Sequence, residues 1–363
     1  QVARDLVLFR PVSAPQEMQR REVVPPPQRR TQPAALCDIT NTSSVAVPGK
    51  PVTDVVKVAP VIVACGTGYP KPTLGHAASQ CHATASTCTS VSAPGDMDLE
   101  DEVCCDDDDP QNVAEYASDI YSNLRRDESG YLPRPDYMDR QVDINAKMRA
   151  ILIDWLVEVH MKYKLKTETL FLTVNLIDRY LERTMLSRKR LQLCGVTSML
   201  IAAKFEEIYP PEVRDFVYIT DNAYTKDDIL QMEVSILTTL QFFLCCPTVA
   251  AFMEQYQRVN KCSEAHQHLM QYVLELTLPD LKMIRYTPSH LAAAAALLSN
   301  KLLKQNPPWP AAMTNHTKAT EPMVKACARE MCGLLEAAER SPLQAVRRKF
   351  SQQKFSSVAK LAF

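Results

Sequence analysis

The chain is poor in the residues from which most active sites are built. Glycine occurs only 8 times and histidine 7 times in 363 residues, and there is no glycine-rich run of the kind that cradles a phosphate. None of the 12 cysteines forms a C-x-x-C pair, and histidine is rare beside them. That spacing argues against a zinc site and against a secreted disulfide framework, and predicts reduced thiols in the cytosol or nucleus. A formal net charge of -1 gives no support to non-specific binding of nucleic acid or membrane. No apolar run nears the roughly 18 residues a membrane span needs, and no alternating strand pattern occurs. Neither a nucleophile–base constellation nor a cluster of metal ligands is evident, so no catalysis and no cofactor is expected. Gln1 rather than Met opens the chain, so residues are expected to precede it. What is present shows no signal-peptide pattern.

What the chain does have is apolar residues, 46% of the total, enough for a sizeable core. They are unevenly distributed. Residues 1–112 are rich in Pro, Ser, Thr, Ala and Val and end in an acidic segment from Asp96 to Asp109, a composition predicted to stay disordered. From Gln111 onward helical periods follow one another, over 113–126, a long helix after a cap at Asn145, 170–181, 191–207 and 229–240. Thr225-Lys226-Asp227-Asp228 reads as a capping box for the last of these. Pro247 marks a second start, with helices over 249–258, 266–278, 291–303 and 323–338. The small apolar run Leu291 to Leu298 reads as a buried central helix. The expected fold is all-α, with two stacked units of similar size. The basic tail after Arg340 is expected to pack only in part.

One helix has a surplus of apolar surface. Met148, Ile151, Leu152, Trp155 and Val159 form one stripe at i, i+3, i+4, i+7 and i+11, and Ala150, Ile153, Leu156 and Val157 form a second. Such a helix is buried in a large domain, or buries one face and offers the other to a partner. The second stripe can face the core alone, which leaves the first as a candidate exposed patch.

The segments Met148-Arg149-Ala150-Ile151-Leu152, Lys204-Phe205-Glu206-Glu207-Ile208-Tyr209-Pro210-Pro211-Glu212, Phe216-Val217-Tyr218-Ile219-Thr220-Asp221 and Tyr224-Thr225-Lys226 together resemble the cyclins. The resemblance is strongest to the mitotic A/B group. Residues 216–221 and Pro247-Thr248-Val249 lean toward the A type, while Asp221-Asn222 looks equally like the B type. The resemblance implies two tandem five-helix boxes, at 145–246 and 247–340. A disordered regulatory region (1–112) and a short N-terminal helix with its link (113–144) precede them, and a tail (341–363) follows. It also implies a non-catalytic subunit that binds and activates a cyclin-dependent kinase. In that role Lys204 and Glu233 match the kinase-contacting pair, with Phe205, Leu200, Ile201, Glu207, Phe242 and Leu244 around them. Tyr116 and Ile120 match the N-terminal helix that touches the kinase's larger lobe.

Met148, Ile151, Leu152 and Trp155, with Leu191 and Gln192, match the family's patch for Arg/Lys-x-Leu segments of substrates and inhibitors. There Glu158 would meet the basic residue, and Arg188 lies near the other wall. Arg149 and Asp178 match an internal ion pair. Ala35, Leu36, Asp38, Ile39 and Asn41 match a destruction box read by a ubiquitin ligase of the anaphase-promoting type, although Pro33 stands where that motif has Arg. Nuclear and cytoplasmic residence is expected, and neither nucleic acid nor membrane is expected as a partner. A cyclin-fold transcription factor or pocket-type scaffold is the alternative, and it would lack the Lys204/Glu233 pair.

Overall fold

In a computed structural model that describes residues 114–361, those residues form twelve α-helices and no strand. The Asn112 cap, the disorder expected of 1–112 and the destruction-box residues Ala35, Leu36, Asp38, Ile39 and Asn41 lie outside the described residues. Helix α1 (Ala117–Asp127) precedes the first box. That box comprises α2 (Ala146–Tyr163), α3 (Thr167–Arg183), α4 (Leu191–Glu206), α5 (Val213–Ile219) and α6 (Lys226–Thr239). The second box repeats the count with α7 (Val249–Val259), α8 (Glu264–Thr277), α9 (Pro288–Leu302), α10 (Ala311–Thr317) and α11 (Glu321–Ala337). A twelfth helix, α12 (Ala345–Phe350), lies in the tail.

Small residues decide where the helices converge. Helix α4 packs against α2, α3, α5 and α6, and every residue from Leu193 to Ala203 is buried. A Cβ on Gly195 would lie 2.7 Å from Leu152 Cδ1, so the close approach of α4 to α2 depends on a residue without one. In the second box α9 has the same place. Its run Leu291 to Asn300 is wholly buried among α7, α8 and α11, because five consecutive alanines let three neighbours close in at once.

Local chemistry sets the boundaries. Asn145 Oδ1 accepts the Met148 N–H at 3.0 Å and starts α2, and Lys164, at φ 54°, ends it. Thr225 and Asp228 close a reciprocal capping box on α6, and Glu212 with Asp215 does the same for α5; each satisfies backbone donors the first turn leaves open. Helices α5, α10 and α12, of 7, 7 and 6 residues, have no counterpart among the helices expected from the periodicity. Two turns are too short to display a period.

The tail packs in part: Ala345, Val346, Lys349, Phe350 and Val358 are buried, while Arg348, Gln352, Gln353, Lys354 and Lys360 are exposed. The physical reason for the burial is a partner that the local sequence does not show. The Lys349 ammonium donates to Glu275 of α8 at 2.5 Å, both side chains being almost fully covered, and it lies over the Phe350 and Phe355 rings at 5.2 and 5.5 Å. A basic run is ordinarily a solvated face; here one of its three charges is compensated inside. Among the described residues no helix is long and apolar enough to cross a membrane.

Candidate functional site

Two surfaces of the first box carry the residues singled out from the sequence. On the first, Lys204 at the end of α4 donates to Glu233 of α6 at 2.7 Å. The lysine is half in solvent, whereas the glutamate is mostly covered. Phe205 is exposed beside the lysine, and the stretch after α4 adds Ile208 and Tyr209, 79% and 92% exposed. Val234 on α6 and Phe242 and Phe243 after it are exposed as well. Gln241 and Phe242 sit at φ 53° and 58°, a left-handed conformation that costs a bulky L-residue about 1–2 kcal/mol. The Phe242 N–H to Leu237 O bond of 2.9 Å helps hold the turn. These large apolar groups stand in the open on the elements that carry the ion pair and the segments following them, the kind of exposure that makes this a candidate binding surface. Tyr116 and Ile120 are likewise exposed, on α1 and the turn before it.

Four residues assigned to this surface from the sequence are wholly or partly placed elsewhere. Leu200 and Ile201 are buried, because α4 is the central helix and has no free face at that level. Glu207 turns inward: its Oε1 accepts the Lys166 N–H at 2.7 Å and the Thr169 hydroxyl at 2.6 Å, capping α3. Leu244 is half-buried against the core.

The second surface is α2, and here the expectation of an open apolar patch is corrected. Met148, Ile151, Leu152 and Trp155 are 4%, 9%, 0% and 5% exposed, and Leu191 is buried too. Leu152 is the residue that packs on Gly195, and α12 lies against α2. The tail meets α2 at Asp154 and Glu158, while Ala150 of the other stripe is only half-buried. The stripe continues one turn on into Glu158, which is partly exposed, as is Gln192. Glu158 is paired with Arg348 of α12. Arg188 pairs with Asp143 instead, through its guanidinium and its own N–H, each at 2.9 Å.

Arg149 is buried and donates to both oxygens of Asp178, at 2.6 and 2.7 Å. Its Nη1 reaches the Leu278 and Pro279 carbonyls, at 3.0 and 3.3 Å, so the pair also ties the first box to the second. The Tyr137 hydroxyl donates to Asp178 at 2.8 Å. Burial lowers the guanidinium's pKa, but Asp178 more than offsets this and holds it above its usual value.

Asp154 accepts the Ala345 N–H at 2.9 Å. Burial pushes its carboxyl from 3.8 up to about 6; the Ala345 N–H and Arg348 work against that shift and Glu158 adds to it. A raised carboxyl binds its proton in the folded state before the unfolded chain does, so Asp154 favours folding more as pH falls from about 6 to 3.8. Asp154→Asn keeps the acceptor and removes the charge. The variant is expected to melt higher than the parent at neutral pH, with the gap closing across that window. His160, pushed down to about 3 by burial, acts in the opposite sense but is common to both proteins. Thermal melts across this pH range test the point, and a gap independent of pH would contradict it.

Two anchors were absent from the sequence reading. The buried Glu128 carboxylate accepts the Ser289 N–H at 2.8 Å and its hydroxyl at 2.6 Å, fastening the N-terminal link to the start of α9. Asp154 seats the tail. Neither has a signal in the local sequence, because each partner is more than 150 residues away.

Two five-helix boxes in tandem, each wrapped around one small-residue helix, define a two-box helical protein whose first box carries an ion pair and several exposed aromatics. Residues 119–245 match the family model described as Cyclin, N-terminal domain, and residues 247–363 match Cyclin, C-terminal domain. The chain belongs to the cyclin family, in its mitotic A/B-type group. It is 44% identical over 257 residues to the G2/mitotic-specific cyclin-B of Marthasterias glacialis, covering 71% of this chain and 66% of that protein. To Cyclin-A1-1 of Oryza sativa subsp. japonica it is 42% identical over 278 residues, 74% of this chain and 54% of that one. The chain thus spans somewhat less than two thirds of these relatives' length. The fold resembles that of a viral cyclin from herpesvirus saimiri, with a TM-score of 0.56 at 18% identity, covering 62% of this chain and 99% of that one.

Proposed function

We propose that this protein is the non-catalytic regulatory subunit of a cyclin-dependent kinase, acting in cell-cycle progression. The observation that carries the reading is the Lys204–Glu233 pair, set among exposed Phe205, Ile208, Tyr209, Val234, Phe242 and Phe243. In the active kinase state the αC helix sits inward and completes a Lys–Glu ion pair. A partner drives that state only by binding it more tightly than the helix-out state, and nearly complete conversion needs about 5.5 kcal/mol of difference. Apolar burial across the aromatic surface, with charge-assisted bonds of about 1.5–3 kcal/mol each from Lys204 and Glu233, is of that size. Tyr116 and Ile120, exposed on the α1 segment, would extend the contact to the larger lobe.

Substrate recruitment is the finer part of the proposal. The α2 stripe is a crease with little open surface, Ile151 and Trp155 keeping 9% and 5% of theirs, and the partly exposed Glu158 and Gln192 form a polar rim. That arrangement suits a leucine entering the crease and a basic residue meeting Glu158, as in an Arg-x-Leu segment. Destruction through the box at 35–41 by an anaphase-promoting type of ubiquitin ligase, and a nuclear and cytoplasmic distribution, belong to the same reading. The decisive test is to mix the protein with a cyclin-dependent kinase and follow co-elution and histone phosphorylation. Complex formation with stimulated phosphorylation is expected; absence of both would overturn the reading.

A further inference from the structure

We infer that Arg348 is an internal competitor for Glu158, and that it sets how strongly the α2 crease selects a basic residue in a docking segment. The inference deepens the docking reading above and rests on it.

The contact follows from two matched spacings. Asp154 of α2 accepts the N–H of Ala345, the first residue of α12. One turn further along each helix, Glu158 lies four residues beyond Asp154 and Arg348 three beyond Ala345, the spacings at which side chains share a helix face. Anchoring the helices at one turn therefore brings Glu158 and Arg348 together at the next, where the guanidinium donates to Glu158 Oε1. The neighbouring basic residues are engaged elsewhere, Arg347 with Glu339 at 3.0 Å and Lys349 with buried Glu275. Of the three, Arg348 is the one that reaches α2.

The consequence is electrostatic. Glu158 is the carboxylate that terminates the Met148–Ile151–Trp155 stripe, and here its charge is already met from within the chain. An incoming arginine must displace Arg348 and then sit beside its positive charge. The Arg348 side chain is 61% exposed and that of Glu158 is 20% exposed, so the pair is of the weak, solvent-screened kind that a ligand can displace. The crease should therefore read the leucine of a docking segment well and its basic residue poorly, and position 348 controls the second of these.

The test measures binding of two labelled peptides, one with Arg-x-Leu and one with Ala-x-Leu, to the full chain, its Arg348→Ala variant and its Arg348→Glu variant. Thermal melts serve to confirm folding. For Arg348→Ala, Arg-x-Leu binding is expected to tighten about three- to five-fold, with Ala-x-Leu binding unchanged; Arg348→Glu should go further in the same direction. The gain should shrink as salt is raised. Equal tightening for both peptides would overturn the inference, since the gain would then not depend on the peptide's basic residue. Unchanged affinity for both would also overturn it, while leaving the docking reading in place. No binding of either peptide to any of the three proteins would overturn the docking reading and the inference together.

Discussion

Arg149→Ala is expected to cost about 3–5 kcal/mol, the penalty for breaking a buried ion pair by removing one partner. That is a large share of the roughly 5–15 kcal/mol by which a typical domain is stable. The reason lies in what the substitution leaves behind. Asp178 would keep the Tyr137 hydroxyl bond and lose both guanidinium bonds, so a covered carboxylate would face the core with one donor. The Leu278 and Pro279 carbonyls, at the junction of the boxes, would lose theirs as well. Urea unfolding should show the drop, and Asp178→Ala should give a loss of similar size. The double variant should lose clearly less than the sum of the two, because neither charge is then stranded. Single-variant losses below about 1 kcal/mol would mean that solvent reaches the pair despite its burial.

Lys204→Ala combined with Glu233→Ala is expected to remove kinase stimulation while the fold survives. An exposed pair of this kind contributes only about 0.2–1 kcal/mol to folding, so the melting temperature should hardly move. Against the kinase, two charge-assisted bonds at about 1.5–3 kcal/mol each amount to at least a hundredfold in affinity. Titration of the variant into a cyclin-dependent kinase, with half-maximal stimulation as the readout, checks this. Stimulation at the parent's concentration would remove the pair from the interface. A collapsed helical circular dichroism signal would instead show the pair to be structural, and the mostly covered Glu233 makes that control necessary.

The long helices were legible because each buries a face along many turns. The 191–207 and 291–303 expectations fall within one to three residues of α4 and α9. Capping residues at Asn145 and Thr225 were legible for a different reason: their bonds close within three residues. What misled was the apolar stripe of α2. A stripe shows that a face is apolar, not what covers it. Leu152 meets Gly195 of α4, and α12, nearly two hundred residues further along the chain, lies against the same helix. The inward turn of Glu207 onto the start of α3 and the burial of Leu200 and Ile201 in a central helix escaped for the same reason.

Periodicity, capping chemistry and an ordered set of motifs were enough to determine the family and the helical two-box plan, because those properties are local or are carried by residue identity. Only the tertiary structure decided which charges are buried with a partner, which aromatics stand in solvent, and that the tail seats Lys349 on Glu275 and Arg348 on Glu158. Burial and ion pairing depend on distance in space, and across separations of 74 and 190 residues a linear sequence holds no measure of it.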